Sequence, residues 1–400
     1  MISIREAYQR GLSVPNATYI PGLDGLRAIA VSMVIVAHAG FGHVVPGGFG
    51  VTIFFFISGL LITNLLCTEF DRNGRIAIVP FYVRRYLRLS PEMFLYVLIC
   101  ALLSVIFLGS ISWAYFFGGL FYFTNYLKIF YHEDIVNPFT TGHLWSLAVE
   151  EHFYLTYPLL LAATVAWPRR LLVALLAICV ASLTIRIVAF GSLPDSYNYY
   201  ASEARMDSLA YGCIGALLGR IYVARITFLQ RVPVATMLAG LALLLAAIVI
   251  RSPEFRETLR YTVQGIGLLL CAVALYTPAF ASLIRLLEIR PLRVLGQLSY
   301  GVYLWHFMPI QLYALLRGHE LPDSMGMADR LVATVLGFAF AIGAAYPSYR
   351  FVLGAFAGLR RRFGSHGVAS GGGAEGTAQP VDLPGGERGE QVLSTSFTGR

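Results

Sequence analysis

The sequence predicts an all-α, polytopic integral membrane protein with about ten transmembrane helices. Of its 400 residues, 57% are hydrophobic and only 13% carry a charge, whereas soluble domains are roughly 25% charged. Ten segments are apolar over the roughly 20 residues that a helix needs to cross a bilayer. The basic residues between these segments fall mainly on one side. Together these observations exclude a water-soluble globule and, over most of the length, a disordered chain.

The ten apolar segments follow one another along the chain, and most charged residues lie between them. Each is long enough, or nearly so, to cross the hydrocarbon core of a membrane as a helix. The segments are 25–43, 51–69, 92–109, 150–167, 170–190, 206–223, 234–250, 262–280, 297–315 and 330–352.

The distribution of basic residues orients these segments. With ten spans and a cytoplasmic N-terminus, 19 basic residues fall in inside loops and 7 in outside loops, as the positive-inside rule requires. A further stretch, 112–127, is shorter and rich in aromatic residues. If it crossed the membrane, Arg169, Arg170 and the 285–293 cluster would move outside. We therefore expect 112–127 to be non-spanning, either interfacial or re-entrant.

Both ends of the chain are predicted to be cytoplasmic. Residues 1–20 precede the first apolar segment and include Glu6, whereas signal peptides have short basic n-regions, so we expect a retained helix. From Gly364 the composition shifts to Gly, Ser, Pro and Glu with few apolar residues. Such a segment cannot offset its ordering entropy, and 359–400 is predicted to be a disordered tail.

The cysteines and the positive charge indicate packing and topology rather than metal or nucleic acid. Five cysteines lie in or beside apolar runs without CxxC spacing, which argues against a disulfide framework and against a zinc site. The net charge of +8 is explained by the inside loops, so no nucleic-acid partner is expected. The basic set contains one lysine, Lys128, among 30 residues, which we interpret as codon bias in a GC-rich genome.

The first apolar segment carries two ionisable residues, Arg27 and His38. Such side chains are costly inside a membrane and are candidates for function. In a regular helix their spacing returns to nearly the same face, about 16 Å further along. A snorkelling arginine and a histidine bonded to a neighbouring helix are the structural alternative. The shared face favours a functional stripe from the cytoplasmic end of the helix towards the midplane or beyond.

Residues 84–91 read Arg-Arg-Tyr-Leu-Arg-Leu-Ser-Pro. Arg85 and Arg88 are three residues apart, so their side chains project together from a helix. Paired guanidinium groups suit a phosphate or pyrophosphate. An ordinary positive-inside anchor before the third segment explains the same spacing, and spacing alone favours that explanation.

Residues 143–154 combine two histidines and two adjacent carboxylates at the start of an apolar segment. His143, Ser146 and Glu150 share a helix face because they are three and four residues apart. Trp145 could be an interfacial aromatic residue. The pair Glu150 and Glu151 is hard to explain by packing, and we interpret this motif as functional.

Residues 299–306 read Ser-Tyr-Gly-Val-Tyr-Leu-Trp-His. Tyr303 and His306 lie on one helix face, whereas Tyr300 is adjacent to Tyr303 but turns away from His306. An interfacial aromatic cluster and a functional site are both compatible with this pattern.

Two other charged positions lie in apolar segments. Arg205 and Asp207 lie at the start of the sixth segment, where an ion pair between them would let the helix begin. Arg186 lies within the fifth segment, and the sequence indicates no partner for it. Both positions are functional candidates because ionisable residues are costly in a membrane.

Taken together, these motifs resemble the membrane acyltransferase-3 family, whose members O-acylate sugars, lipopolysaccharides, Nod factors and macrolides. The similarity runs from about Tyr19 to Tyr349, and its strength lies in the order and spacing of several motifs that are individually weak. The matching pieces are Leu23–Ala28 with His38, Phe54–Gly59, Arg85 and Arg88 with Pro91, His143–Tyr154, Arg205 and Asp207, and Ser299–His306.

The resemblance implies an acyltransferase-3 membrane domain over residues 21–358 and an acyl-CoA donor, most often acetyl-CoA, that enters from the cytoplasm. It assigns Arg27, Arg85 and Arg88 to the donor, with the arginine pair on the CoA phosphates. His38 would be the central catalytic group, as a general base or as a nucleophile. No permanently bound cofactor and no metal are implied.

The resemblance also assigns supporting roles. Glu150 or Glu151 would orient His38 or move the proton, and Tyr303 with His306 could supply hydrogen bonds or an oxyanion contact. The residues expected to shape the site or bind substrate are His143, Trp145, Ser146, Arg205, Asp207, Tyr300, Tyr303 and His306.

The predicted function is that of an O-acetyltransferase of the bacterial cytoplasmic (inner) membrane. Its acceptor would be a hydroxyl of a glycan or glycolipid, such as exopolysaccharide or O-antigen. The predicted topology puts Arg85 and Arg88 inside, whereas His143, Glu150 and Asp207 begin at the outer surface. Such a separation is compatible with delivery of the acyl group across the membrane. No SGNH-type esterase domain of the kind some members carry is seen in the 400 residues, so we expect the chain to act alone or with separate partners.

A transporter is the main alternative, because buried His, Glu and Arg residues in a ten-helix protein also describe a proton-coupled carrier. Transporters often have two similar halves, and none are evident in this sequence. A non-catalytic scaffold is the third possibility, and it conflicts with the presence of all the polar motifs.

Single cysteines at two loops test the topology. We expect Asp195→Cys and Ser282→Cys to react with a membrane-impermeant thiol reagent from opposite sides, because ten spans place these loops outside and inside respectively. Labelling of intact cells and of inverted vesicles measures this, with the unsubstituted chain as the control for native cysteines. Reaction of both positions from the same side would contradict the ten-span topology.

Overall fold

The computed structural model of the protein describes residues 19–131, 139–221, 228–356, 358–359 and 363. Every secondary-structure element within these ranges is helical, which confirms the predicted all-α class. The predicted N-terminal segment 1–20 and the tail 359–400 fall almost entirely outside the described residues.

The first half of the chain consists of long helices interrupted by two short ones. The bounds are α1, Leu23–Val36; α2, Gly47–Asn73; α3, Ile78–Leu108; α4, Trp113–Leu120; α5, Thr124–Phe130; α6, Trp145–Thr164; and α7, Pro168–Ala189.

The second half alternates long and short helices. The bounds are α8, Tyr197–Tyr200; α9, Ser202–Ile221; α10, Pro233–Val249; α11, Pro253–Glu257; α12, Arg260–Leu275; α13, Ala281–Leu287; α14, Arg290–Gln297; α15, Ser299–Trp305; α16, Phe307–Leu316; α17, Met327–Pro347; and α18, Leu353–Ala355. Single 3₁₀ turns at Gly142–Leu144, Pro278–Phe280 and Pro322–Ser324, and π-helical turns at Ala37–Phe41 and Ser348–Val352, complete the described elements.

The ten predicted segments are largely helical, but 297–315 is divided between the short helices α15 and α16, and the helices differ in how readily each could cross a bilayer. Among the described residues, five helical stretches are long and apolar enough on their own, and a bent pair makes six if it is counted as one span. That pair joins α12 to Pro278–Leu287 at an angle of 90°. The multi-pass character is therefore supported, and ten crossings stay a prediction.

The aromatic stretch 112–127 forms α4 and the start of α5, with 8 and 7 residues in the two helices. At about 1.5 Å per residue neither helix approaches the length of about 30 Å that a crossing requires. Tyr122 lies between them with a positive φ of 58°, a left-handed conformation that reverses the chain. The geometry agrees with the non-spanning prediction for this stretch.

The helix that carries His38 is not a regular α-helix to its end. A π-helical turn, Ala37–Phe41, follows α1, and Gly40 within it has a φ of 96°. A Cβ at Gly40 would lie 2.5 Å from the Pro322 carbonyl oxygen. The prediction that Arg27 and His38 share a face assumed a regular α-helix up to His38. A π-turn adds a residue to the turn, so regular spacing ends at Ala37 and the shared face of Arg27 and His38 stays a prediction.

Helices α2 and α9 touch backbone to backbone at two glycines. A Cβ at Gly59 would lie 2.0 Å from the Leu209 carbonyl oxygen, and one at Gly212 would lie 1.9 Å from that of Phe56. Small residues permit such close crossings between membrane helices. This crossing fixes α2, which carries Ser58, relative to α9, which carries Arg205.

Enlarging one of these glycines should separate the two helices. We expect Gly212→Ala to lower the thermal midpoint of the purified protein, because a methyl group there meets backbone that cannot rotate away. Gly215→Ala, on the same helix, is the matched control: its Cβ would meet the flexible Leu269 side chain at 3.3 Å. Equal midpoints for the two variants would contradict the close-crossing interpretation.

Candidate active site

Two histidines distant in sequence form the centre of the site. The Nδ1 atom of His38 is 2.8 Å from the Nε2 atom of His306, and their rings stack with centroids 5.1 Å apart. His306 Nδ1 is 2.7 Å from the Tyr303 carbonyl oxygen. His306 has no exposed surface, whereas His38 is partly exposed.

These two hydrogen bonds determine the tautomers of both neutral rings. A carbonyl oxygen only accepts, so His306 donates from Nδ1 to Tyr303 and its Nε2 carries a lone pair. His38 must therefore donate from Nδ1 to that lone pair. The remaining nitrogen of His38, Nε2, is then unprotonated, which is the state that a general base or a nucleophile requires.

A third histidine, His143, lies against this pair. Its ring centroid is 5.6 Å from that of His306, and Phe307 packs against His143 at 5.2 Å and against His38 at 5.1 Å. His143 Nε2 donates to the Leu304 carbonyl oxygen at 3.2 Å. Its buried Nδ1 has no hydrogen-bond partner among the described residues. The sequence motifs at 38, 143 and 306 thus converge on one site.

Tyr303 and Ser146 support the histidine cluster. The Tyr303 hydroxyl donates to the His143 carbonyl oxygen at 2.7 Å, and Ser146 Oγ lies 2.6 Å from the same hydroxyl. Tyr303 and His306 therefore each donate a proton to a backbone carbonyl. An oxyanion contact from these groups stays a prediction, and it would require one of these bonds to break.

The acidic pair lies beside Arg85. Glu151 Oε1 accepts from Arg85 Nε at 3.1 Å and from Nη2 at 2.9 Å, and Glu150 Oε1 lies 3.6 Å from the same Nη2. Glu150 also accepts from Ser58 at 2.5 Å and from Tyr154 at 2.8 Å. The Arg85 guanidinium lies 3.1 Å from the centre of the Tyr154 ring. The structure thus pairs these acids with Arg85 rather than with His38.

This contact corrects the predicted separation of the arginines from the acids. We expected Arg85 inside and Glu150 at the outer surface. Because α3 continues for about 35 Å beyond Arg85, a direct ion pair puts Glu151 near the end of α3 that carries Arg85. The short helices α4 and α5 lie between α3 and α6, in place of the simple loop that the sequence suggested.

Asp207 pairs with Arg186, which corrects the expected pairing with Arg205. Arg186 and Asp207 are both fully buried, and Arg186 Nη2 donates to Asp207 Oδ2 at 2.7 Å. Side chains two residues apart on a helix point in different directions, so Arg205 cannot reach Asp207 along α9. Arg205 instead lies 3.8 Å from the centre of the Tyr261 ring and donates to the Tyr199 carbonyl oxygen at 3.0 Å.

The remaining predicted residues lie around the cluster at different distances. The Tyr300 hydroxyl donates to the Leu89 carbonyl oxygen at 2.8 Å, which ties α15 to α3 one residue after Arg88. The ring of Trp145 is 5.0 Å from that of Tyr200. Arg27 is not brought into contact with the histidines, and its buried Nε has no hydrogen-bond partner in the described ranges.

Two residues near the site were missed by the sequence reasoning. Glu92 is 2% exposed, and its Oε1, which has no hydrogen-bond partner among the described residues, lies 2.4 Å from where a Gly301 Cβ would be. Lys128 lies against Gly142, next to His143. The available signals were a carboxylate at the start of an apolar segment and a single lysine in the whole chain.

Removing Arg85 alone should lower the thermal stability of the protein more than removing both members of its ion pair with Glu151. We expect Arg85→Met to lower the thermal midpoint strongly, because Glu150 and Glu151 then lose their cation in a largely apolar interior. The double variant Arg85→Met with Glu151→Gln should recover part of that loss. Thermal unfolding of the purified variants measures this, and additive effects of the two substitutions would contradict direct coupling.

Comparisons with known proteins identify the family to which the chain belongs. A family model described as an acyltransferase domain matches residues 20–350. The O-acetyltransferase OatA of Staphylococcus aureus is 30% identical over 302 residues, which cover 72% of this chain and 50% of that protein. The peptidoglycan O-acetyltransferase OatA of Listeria monocytogenes is 30% identical over 309 residues, which cover 74% of this chain and 50% of that protein.

A third relative, the putative peptidoglycan O-acetyltransferase YrhL of Bacillus subtilis, is 33% identical over 311 residues, which cover 74% of this chain and 49% of that protein. The chain spans about half the length of these curated relatives. No solved structure matches it. Because the family model covers every residue of the site described above, the chain belongs to the membrane acyltransferase-3 family of acyltransferases.

Proposed function

We propose that this chain is a membrane O-acetyltransferase that moves an acetyl group from acetyl-CoA to a hydroxyl of a glycan. The observation that carries the proposal is the His38–His306 hydrogen bond of 2.8 Å, because it leaves the Nε2 lone pair of His38 free. The names of the relatives support an O-acetyl product and a glycan acceptor.

The lone pair of His38 can serve acyl transfer in two ways. As a general base it takes the proton of the acceptor hydroxyl while that oxygen attacks the thioester carbonyl and the C–S bond breaks. As a nucleophile it attacks the carbonyl itself, the C–S bond breaks and CoA leaves as its thiolate. The acyl-imidazolium then passes its acyl group to the hydroxyl, whose proton ends on the thiolate. In both routes positive charge develops on the ring, and the Nδ1–H bond to His306 stabilises it.

The donor would bind at the arginine end of the site. Arg85 and Arg88 share a face of α3, and their predicted cytoplasmic location supports a contact with CoA phosphates. Because Arg85 already binds Glu151, donor binding would exchange or share a carboxylate partner. Arg27, near Asp24 at the start of α1, is assigned to the donor by family resemblance alone.

Location and topology complete the proposal. We propose ten crossings of a bacterial cytoplasmic membrane with both termini inside, on the strength of the arginine distribution and the largely helical character of the predicted segments. An extracytoplasmic glycan would then receive an acetyl group that started on cytoplasmic acetyl-CoA. The peptidoglycan named in two of the relatives is a glycan of this kind.

Radiolabelled acetyl-CoA tests the catalytic role of His38. We expect His38→Ala to reduce thiol release and label transfer to a peptidoglycan disaccharide by about 10²-fold or more, the usual size of a lost acid–base group. The control is His43→Ala, since His43 is exposed and outside the cluster. Unchanged turnover by His38→Ala would contradict the mechanism, whereas solute uptake without acetyl-CoA consumption would favour the transporter alternative.

A further inference from the structure

Lys128 is the only lysine in the chain, and the structure brings it to the edge of the histidine cluster. It lies on α5, and a Cβ at Gly142 would be 3.0 Å from its Cε and 3.4 Å from its Nζ. Gly142 immediately precedes His143. The positive charge of Lys128 acts electrostatically on both His38 and His143.

The part of the chain that the structure describes compensates the Lys128 charge only weakly. Across the described residues no ion pair includes Lys128, and its cation–π contact is long, with the centre of the Tyr200 ring 5.8 Å from Nζ. Burial lowers the pKa of Lys128, which reflects the cost of desolvating a cation without an anion. An anion from a ligand would offset that cost.

The position of Lys128 separates it from the proposed donor end. Arg85 binds Glu151, whereas Lys128 touches Gly142, and nine residues separate these two positions of the chain. A fully helical segment from Gly142 to Glu151 would be about 13 Å long. Tyr200, whose ring centre is 5.8 Å from Lys128 Nζ, packs against Trp145 with ring centres 5.0 Å apart. Aromatic walls with a few convergent polar groups are typical of small-molecule sites.

We propose that Lys128 recognises the acceptor, with its ammonium binding a carboxylate carried by the glycan. The proposal rests on the proposed function, since it presumes a glycan acceptor. The ion pair would hold the acceptor hydroxyl near His38 Nε2, while Gly142 leaves the space in which the lysine stem lies. Lys128 is thus a specificity residue rather than a catalytic one.

A matched pair of acceptors tests this role with purified full-length protein. One acceptor is a disaccharide bearing a carboxylate, and the other is its methyl ester, which differs only in charge. We expect Lys128→Met to raise KM for the acid about tenfold or more, the effect of losing a charge-assisted hydrogen bond. KM for the ester should stay nearly unchanged, and Lys128→Arg should retain most of the preference for the acid.

Two kinetic outcomes would overturn the proposal. Equal increases in KM for acid and ester would show that Lys128 does not recognise the carboxylate of the acceptor. A fall in kcat for both acceptors at constant KM would instead place Lys128 at the reacting atoms or in the scaffold.

Chemical labelling gives a second measurement that does not depend on turnover. Because the chain has one lysine, reductive methylation followed by peptide mass spectrometry reports on Lys128 alone among the side chains. We expect the carboxylated disaccharide, but not its ester, to slow the reaction of Lys128. Equal rates with both compounds would overturn the proposal even if Lys128→Met failed to fold.

The two measurements also separate this proposal from the proposed function. If the wild-type protein transferred no acetyl group from acetyl-CoA to either disaccharide, the O-acetyltransferase proposal would fail. Selective protection of Lys128 by the acid would still support an anion site in that case. Gly142→Ala, which crowds the lysine stem, should weaken the protection.

Discussion

The hydrogen bond between His38 and His306 is the interaction on which the chemistry of the site depends. It joins the π-turn after α1 to the end of α15, across an interval of 268 residues. Its direction follows from a backbone carbonyl that can only accept, so the fold itself selects the tautomer of His38. A side chain from the first helix therefore becomes a base only after the last third of the chain has folded around it.

The same constraint, that a polar group in an apolar interior needs a partner within the protein, organises the surroundings of the histidines. Arg85 is satisfied by Glu151 and by the face of Tyr154. The backbone of Tyr303 accepts from His306, and its hydroxyl donates to the His143 backbone. One residue of α15 thus orients His306 and ties the start of α6 to α15.

The sequence predicted the helical class, most helix positions and the residues that converge on the site, because apolar length and rare intramembrane charges are local properties. It did not predict their partners. Arg186 was left without one, although Asp207 lies 2.7 Å away, since that pairing depends on how α7 packs on α9. It also did not predict the π-turn that carries His38, because such a turn is not visible in hydrophobic spacing.

The buried cations differ in how the protein compensates them, and this difference separates scaffold from binding groups. Arg186 donates to a buried carboxylate and to two backbone carbonyls, so groups within the fold compensate its charge. Arg205 has aromatic rings and a carbonyl oxygen. Among the described residues, Lys128 has a cation–π contact with Tyr200 at 5.8 Å and no ion pair. A cation that the protein compensates poorly is stabilised when a ligand supplies an anion. Lys128, at the edge of the histidine cluster, is therefore the cation that we propose binds substrate.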